Sequence, residues 1–431
     1  MVFGGTVGVG ILRLPGTLAA HLGNSRLIVL FWILGGVYAL LGAVSVSELA
    51  AMLPRAGGFY VYARRAFGSG GGFIIGWSDW INEIATLAYA SITATVFLAA
   101  LWPATAPHSR VIGVAILGSF TALHWIGLSI GSTLTRLISA AIGLMMLSLV
   151  MACFLIPPAP AAAAPLPASA AALPLWSMSM LAAVVTAFRA VLLTYDGWYS
   201  PIYMAEESTD PGRTLPRAMV GGTVLLMVLY VLINVAMLRV LPLPVLAHSD
   251  LPAADAARLV FPHGGPQLVT VISLLTVLSL INATMLMTPR ILLAIGRDGF
   301  FTEKAAAVSA GGTPRLALAI SSAAAMVLIL SGTFEQIIAI ATVLFLINYI
   351  ATYAAVFVLR RREPELPRPY RAFGYPFTTG IVLLGCVLVL IAAIFEDTHS
   401  AMWAAALLIA CAPVYGWISW RKRGAGAEAA L

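Results

Sequence analysis

Stretches of roughly 18 or more predominantly apolar residues recur from one end of this chain to the other, each long enough to cross a hydrocarbon core of about 30 Å. Twelve are legible, at 3–22, 27–53, 73–101, 111–128, 134–156, 177–205, 219–241, 267–295, 316–331, 335–359, 378–395 and 401–420. The pattern predicts an all-α polytopic membrane protein, a single unit over 1–431. Two connections are longer than the rest. Residues 157–174 are Ala/Pro-rich and low in complexity, which predicts an outer loop without packed structure. Residues 243–266 carry Asp250 and Asp255 and have room for a short helix.

Composition sharpens this picture. The chain is 61% hydrophobic and only 10% charged, against about 25% charged in soluble domains, so a water-soluble fold could not cover itself. The net charge of +7 does not point to nucleic acid, because the basic residues sit in short clusters between apolar spans and have no soluble face to line. With the amino terminus on the cytoplasmic side, only Arg13, Arg26, Arg110, Arg189, Arg239 and Arg258 fall on the outer side or outer half, and the other 18 of the 24 basic residues face inward. The positive-inside rule thus predicts a multi-pass protein of the cell (inner) membrane with both termini cytoplasmic. Cys153, Cys386 and Cys411 lie within apolar stretches as small buried hydrophobes. No disulfide framework, cleavable signal peptide, metal-ligand spacing among the six histidines or cofactor motif is visible.

Candidate chemistry begins where the spans are interrupted. The first opens with GGTVGVGILRLPG, so Thr6, Val7, Gly8, Val9 and Gly10 lie in a run crowded with glycine and closed by Pro15 and Gly16. Glycine costs about 1 kcal/mol and proline about 3 relative to alanine inside a helix, and backbone groups freed in hydrocarbon need a partner. An unwound run at that depth should line a cavity. The sixth span has its counterpart in TYDGWYSP, with Tyr195, Asp196, Gly197 and Pro201. Spans one and six are five apart, as an inverted repeat of five plus five helices requires, and paired interruptions point to a transporter binding site. Glycine and proline also kink packed helices without any site; the pairing favours the site. The amides of Val9 and Gly10 would suit a carboxylate, and carbonyls at Thr6, Leu193 and Asp196 an ammonium.

At these residues the chain resembles the amino acid-polyamine-organocation superfamily, and in particular bacterial amino acid permeases related to L-type amino acid transporters. Beyond GGTVGVGI, the resemblance rests on ELAAMLPRAGGFYVY (Glu48–Tyr62), YDGW running into EESTDPGRTLPRA (Glu206–Ala218), INATMLMTPRILLAIGRDGF (Ile281–Phe300) and RPYRAFGYP (Arg368–Pro376), and covers nearly the whole chain. It implies a leucine-transporter-like fold, with inverted repeats at 1–156 and 177–362, peripheral helices 11 and 12 over 377–420, and alternating access around a central site. It also implies that Val9 and Gly10 are the carboxylate-binding amides, that Thr6, Leu193 and Asp196 supply the amino-group carbonyls, and that Asn282 faces the substrate or helix 1. Three departures stand out. A half-helix usually precedes the glycine run, so further chain is expected upstream of Met1. Where many L-type relatives carry a helix 5 lysine in place of a sodium ion, counting from Gly127 and Gly131 gives Ile142, so their energy coupling does not carry over. Arg13 is an unusual charge near the outer gate.

An ionisable group inside a span is a functional hypothesis by default. Asp79 and Glu83, four residues apart, share one helix face. Burial and the neighbouring carboxylate favour a neutral Glu83 that could exchange a proton; the alternative is that both acids hydrogen-bond structurally or snorkel. Arg189 and Arg13 could meet an anionic substrate side chain, pair with an outer acid, or snorkel. Glu48, Arg55 and the GGFYVY stretch sit at the inner end of the second span and its loop, as a cytoplasmic gate or as a solvated anchor; Glu206, Glu207, Asp210 and Arg213 carry the same two readings. The sequence therefore predicts a secondary transporter of amino acids, with a proton or sodium ion as possible coupling partner, membrane lipid around it and no enzymatic constellation. The alternatives are a polyamine or organic-amine carrier, and a non-transporting sensor on the same scaffold.

Overall fold

A computed structural model describes residues 1–157, 178–332 and 334–428. The Ala/Pro-rich connection falls almost wholly outside the described residues. Helix dominates and, among the described residues, there is no strand. Among the described residues, nine helices are long and apolar enough to cross a membrane, with shorter apolar helices at Ala183–Thr194 and Arg315–Ser331. Every apolar stretch of the sequence coincides with a helix or with a helix broken in two.

The elements run α1 (Val2–Thr6), α2 (Gly10–Leu22), α3 (Ser25–Met52), α4 (Phe59–Leu101), α5 (Ser109–Ile126), α6 (Leu128–Leu155), α7 (Met178–Thr194), a 3-10 segment (Ser200–Glu207), α8 (Pro211–Val240), α9 (Leu243–Ala247), α10 (Pro252–Val260), α11 (Gly265–Arg297), α12 (Arg315–Ser331), α13 (Phe334–Arg362), α14 (Phe377–Glu396) and α15 (Thr398–Glu428). Punctuation follows local chemistry. The chain turns between α2 and α3 at Gly23, in the left-handed region at φ 57°, and the Asn24 side chain then accepts from the amides of Arg26 and Leu27 to cap α3. The connection at 243–266 holds two short helices, α9 and α10.

The FYVY part of the GGFYVY stretch is helical where the sequence suggested loop. α4 begins at Phe59, and only Gly68, at φ 80°, kinks it before the long apolar part. The reason is packing: the Phe59 ring sits against Tyr199, Tyr203 and Tyr349 at centroid distances of 5.0, 6.1 and 5.7 Å, so this aromatic face is interior. Small residues set the closest approaches. A side chain at Gly35 of α3 would run into Val191 of α7, and one at Gly36 into Met227 of α8, the small-residue contact typical of membrane bundles.

α3 pairs with α8, while α4 runs along α11 and α13. α14 packs on α13 and α3, and α15 on α13 and α4. These last two leave large apolar side chains exposed, among them Phe395, Ile409, Trp417 and Trp420. In water such a surface would be an association hazard; in a bilayer it is lipid-facing.

Candidate substrate site at two helix breaks

Both predicted interruptions are present, and they meet. α1 ends at Thr6, Val7 is extended at φ −69° and ψ 101°, and α2 restarts at Gly10 with no side-chain cap on its amino end. α7 ends at Thr194, and the chain passes through Gly197 at φ 107° into the 3-10 segment, where the Ser200 amide donates to the Gly197 carbonyl at 3.1 Å. Glycine is required at 197 because φ is positive and because a Cβ would strike the Gly5 carbonyl. The Tyr230 hydroxyl of α8 lies 3.1 Å from the Thr6 carbonyl and 3.3 Å from that of Thr194, so one phenol ties the two breaks together.

A cavity of about 160 Å³ opens beside them, bounded by Gly5 at the first break, Leu193, Asp196, Gly197 and Ser200 at the second, Glu83 and Asn82 of α4, Thr284 of α11 and Phe345 of α13. It is smaller than the roughly 300–1,000 Å³ typical of drug-sized sites and suits a small metabolite. Leu193 is exposed to it.

Sequence-predicted residues distribute unevenly around this hollow. Leu193, Asp196, Gly197 and Glu83 line it. On the first break it is Gly5 that reaches it, while Thr6 and Val7 are buried against other helices and Val9 and Gly10 stand at the start of α2. The Tyr195 side chain turns away, its hydroxyl donating to the Trp32 carbonyl at 2.9 Å. Asn282 does not come to the cavity. Its amide nitrogen donates to the Gly131 carbonyl (2.9 Å) and Thr135 Oγ1 (2.7 Å), and its oxygen meets His124 Nε2 at 2.8 Å, so it joins α11 to α5 and α6. Three polar partners in a buried junction satisfy an asparagine completely enough to leave nothing for a solute.

The intramembrane acids separate into two kinds. Asp79 is fully buried and accepts from the Tyr203 hydroxyl with both oxygens, at 2.9 and 2.8 Å, the structural role. Asp196 accepts from Tyr349 at 2.7 Å and offers its remaining surface to the cavity. Glu83 is 1% exposed, and its Oε2 has no hydrogen-bond partner. Asp196 entered the sequence reading only as a backbone carbonyl; the rule that flags any carboxylate in a span would have found its side chain as well. Tyr203, Tyr230 and Tyr349 carried no local signal, because their partners come from other helices.

Arg189 pairs with Glu396 of α14 through both nitrogens, Nη2 donating to Oε1 at 3.1 Å, and Arg13 is exposed on α2. Neither lines this cavity; Arg189 borders the adjoining hollow that shares Leu193, Asp196 and Phe345 with it. On the opposite side of the bundle, Glu48 is 1% exposed and accepts from Arg360 Nε at 2.8 Å and the Ala372 amide at 2.7 Å, with Arg368 Nε at ion-pair distance, 3.3 Å. It is a buried hub joining α3 to α13 and the RPYRAFGYP segment. Glu206 meets Arg297 at 2.8 Å and Glu207 meets Arg290 at 3.1 Å, tying the 3-10 segment to α11, and Asp298 is held by Arg64 and by the Tyr60 hydroxyl at 2.7 Å.

A helical membrane protein with a polar hollow at two broken helices is the class this geometry defines. The chain belongs to the amino acid permease family, whose model matches residues 1–412, within the amino acid-polyamine-organocation superfamily. It is 27% identical over 438 residues to the serine/threonine exchanger SteT of Bacillus subtilis, covering 98% of this chain and 95% of that protein. It is 24% identical over 406 residues to the b(0,+)-type amino acid transporter 1 of Mus musculus, covering 92% and 81%, and 28% identical over 398 residues to the Asc-type amino acid transporter 1 of the same species, covering 86% and 71%. These are transporters and not enzymes, and the chain is an amino acid transporter of multi-pass, membrane-embedded architecture.

Proposed function

We propose that the chain is a secondary active permease or exchanger that carries amino acids by alternating access around the cavity between the α1/α2 and α7 breaks. The observation that carries this is the meeting of the breaks: Gly5 and Gly197 touch, Tyr230 spans the two carbonyls, and a cavity opens beside them. The amides at Val9 and Gly10 would take the substrate carboxylate, and carbonyls at Thr6, Leu193 and Asp196 its amino group, as the polarity of half-helix ends favours. On this reading 1–156 and 177–362 are inverted repeats, 377–420 forms the peripheral pair, and both termini face the cytoplasm of the cell membrane. Closure on the inner side would be held by the arginine–carboxylate pairs that join the 3-10 segment, α3, α11 and α13. Coupling is assigned to Glu83, a carboxylate whose Oε2 has no hydrogen-bond partner and which is able to exchange a proton.

Counterflow in proteoliposomes tests the reading. Vesicles preloaded with unlabelled amino acid should accumulate the labelled form, and the same amine without its α-carboxylate should be a poor substrate. No accumulation of any amino acid, or equal handling of the decarboxylated amines, would overturn it in favour of an organic-amine carrier or a non-transporting sensor. Uptake with and without an imposed proton gradient, in wild type and Glu83→Gln, tests the coupling: loss of gradient dependence in the variant is expected, and unchanged dependence would remove Glu83 from the role.

A further inference from the structure

We infer that the face where α4, α11 and α15 meet carries a binding site for an anionic phospholipid, its phosphate held by a cluster of arginines and an acyl chain laid in an aromatic groove beside them. The site shares no lining residue with the central cavity, so it stands whatever the transported solute.

The polar half is a hollow of about 580 Å³ at the start of α4, lined by Arg55, Arg64, Arg65 and Arg297 together with Asp298 and Glu363. Positive charge is in excess there. Arg65 pairs with Glu363 at 2.8 Å and Arg297 with Glu206 at 2.8 Å, whereas Arg64 and Arg55 share Asp298. Arg64 touches that carboxylate directly. Arg55 stands 3.8 Å from it, beyond hydrogen-bond range, with its side chain 55% exposed. The four guanidinium groups are therefore one carboxylate short of balance, and a guanidinium fork matches phosphate oxygens. The backbone adds to them. Gly68, at φ 80°, divides α4 into two helical segments, and Gly68 and Ser69 both line the hollow. The second segment thus begins at the hollow, and a helix amino end favours an anion.

A soluble anion would need only that half. Next to it lies an apolar groove of about 660 Å³, lined by Phe73, Trp77, Ile295, Phe300, Val414 and Trp417 among others. The two hollows share their helices: Ser69 and Asp298 line the first, while Phe73, one turn further along α4, and Phe300, two residues beyond Asp298, line the second. The Tyr415 ring of α15 closes the seam, 5.6 Å from Phe73 and 5.4 Å from Phe300. Phe73 and Ile295 are buried as a floor, whereas Val414 and Trp417 are 41% and 57% exposed at the rim, so the groove opens on the outer surface of the bundle. In a bilayer an apolar groove alone is unselective, because any acyl chain fills it. The adjacent arginines supply the selection, as basic pockets between spanning helices do for anionic headgroups.

Native mass spectrometry of the full chain in detergent, titrated with palmitoyl-oleoyl phosphatidylglycerol or phosphatidylcholine, tests the site. The first phosphatidylglycerol should bind about tenfold or more tighter than the first phosphatidylcholine. Arg55→Gln and Arg65→Gln should each weaken it about fivefold, the scale of one basic residue at a membrane surface. Arg26→Gln, which alters an exposed arginine at the far end of α3 from Arg55, should leave it unchanged. Dihexanoyl phosphatidylglycerol has the same headgroup and little chain to bury, and should bind about tenfold or more weaker. Equal binding of the two headgroups, equal losses at Arg26 and Arg55, or undiminished binding of the short-chain lipid would each overturn the inference. A dimer that forms without lipid and is not displaced by it would give the groove to a second copy of the chain and overturn it as well. Both lipid comparisons use the wild-type protein, so a variant that fails to fold leaves the outcome decided.

Discussion

Carboxylates that tie α3, the 3-10 segment and α11 to their neighbours and carboxylates beside the helix breaks are treated in opposite ways. Glu48, Glu206, Glu207 and Asp298 each have an arginine, and Glu48 has two. Asp79 is met by a phenol and Asp196 by a phenol and the Gly197 backbone, with no arginine on either, and Glu83 Oε2 has no hydrogen-bond partner. Burial alone does not explain the contrast, since Glu48 and Glu83 are both 1% exposed. Paired acids fix one helix to another, whereas an acid left short of a counter-charge in a cavity keeps its capacity for something that arrives and leaves. The first arrangement suits a closure that must hold, and the second a site that must exchange its contents.

Removing the paired kind should produce the largest effect on stability. Glu48→Gln leaves Arg368, itself 7% exposed, without its charge partner, and breaking a buried pair costs about 3–5 kcal/mol. A clear drop in the unfolding midpoint of the detergent-solubilised protein is expected, and an unchanged midpoint would mean the hub is not structural. The cavity region depends instead on backbone shape. Gly197→Ala puts a Cβ against Gly5 at φ 107°, and strain of about 1–3 kcal/mol at such a position should reduce uptake by about tenfold or more. Uptake close to wild type would show that the breaks need not touch during transport.

Tyr349→Phe sharpens the comparison at intermediate size. It removes the 2.7 Å donor to Asp196, worth about 1.5–3 kcal/mol when the acceptor is charged, and should weaken substrate competition several-fold while leaving the arginine–carboxylate pairs intact. The smallest effect belongs to Glu206→Gln. Its bridge to Arg297 has both side chains about one-third exposed, and exposed pairs contribute about 0.2–1 kcal/mol. Its thermal midpoint should barely move, so a drop as large as that of Glu48→Gln would erase the distinction between hub and surface pair.

How much of this was legible beforehand depended on whether the signal was local. Length and apolarity located the long apolar helices, and glycine with proline located both breaks, because an interrupted span announces itself in its own residues. The two acids four apart on α4 were also visible, and their different fates were not. Asp79 is satisfied by Tyr203, 124 residues away in the chain, while Glu83 Oε2 has no hydrogen-bond partner, and Asp196 in turn depends on Tyr349, 153 residues away. Asn282 shows the same limit from the other direction: resemblance placed it facing the substrate or helix 1, and His124, Gly131 and Thr135 take up its polar atoms in the α5–α6–α11 junction. The helical GGFYVY stretch was hidden by its leading glycines, which suggest a loop until the aromatic partners of Phe59 are known.

Chemical access to position 193 tests the central site most directly. Leu193 borders the hollow and is 44% exposed, while Cys153, Cys386 and Cys411 are buried. In Leu193→Cys, a membrane-impermeant thiol reagent should add one label by intact mass, and a transported amino acid should slow that labelling in step with its own affinity. Labelling that proceeds at the same rate with saturating substrate, in a protein that still transports it, would place the substrate elsewhere.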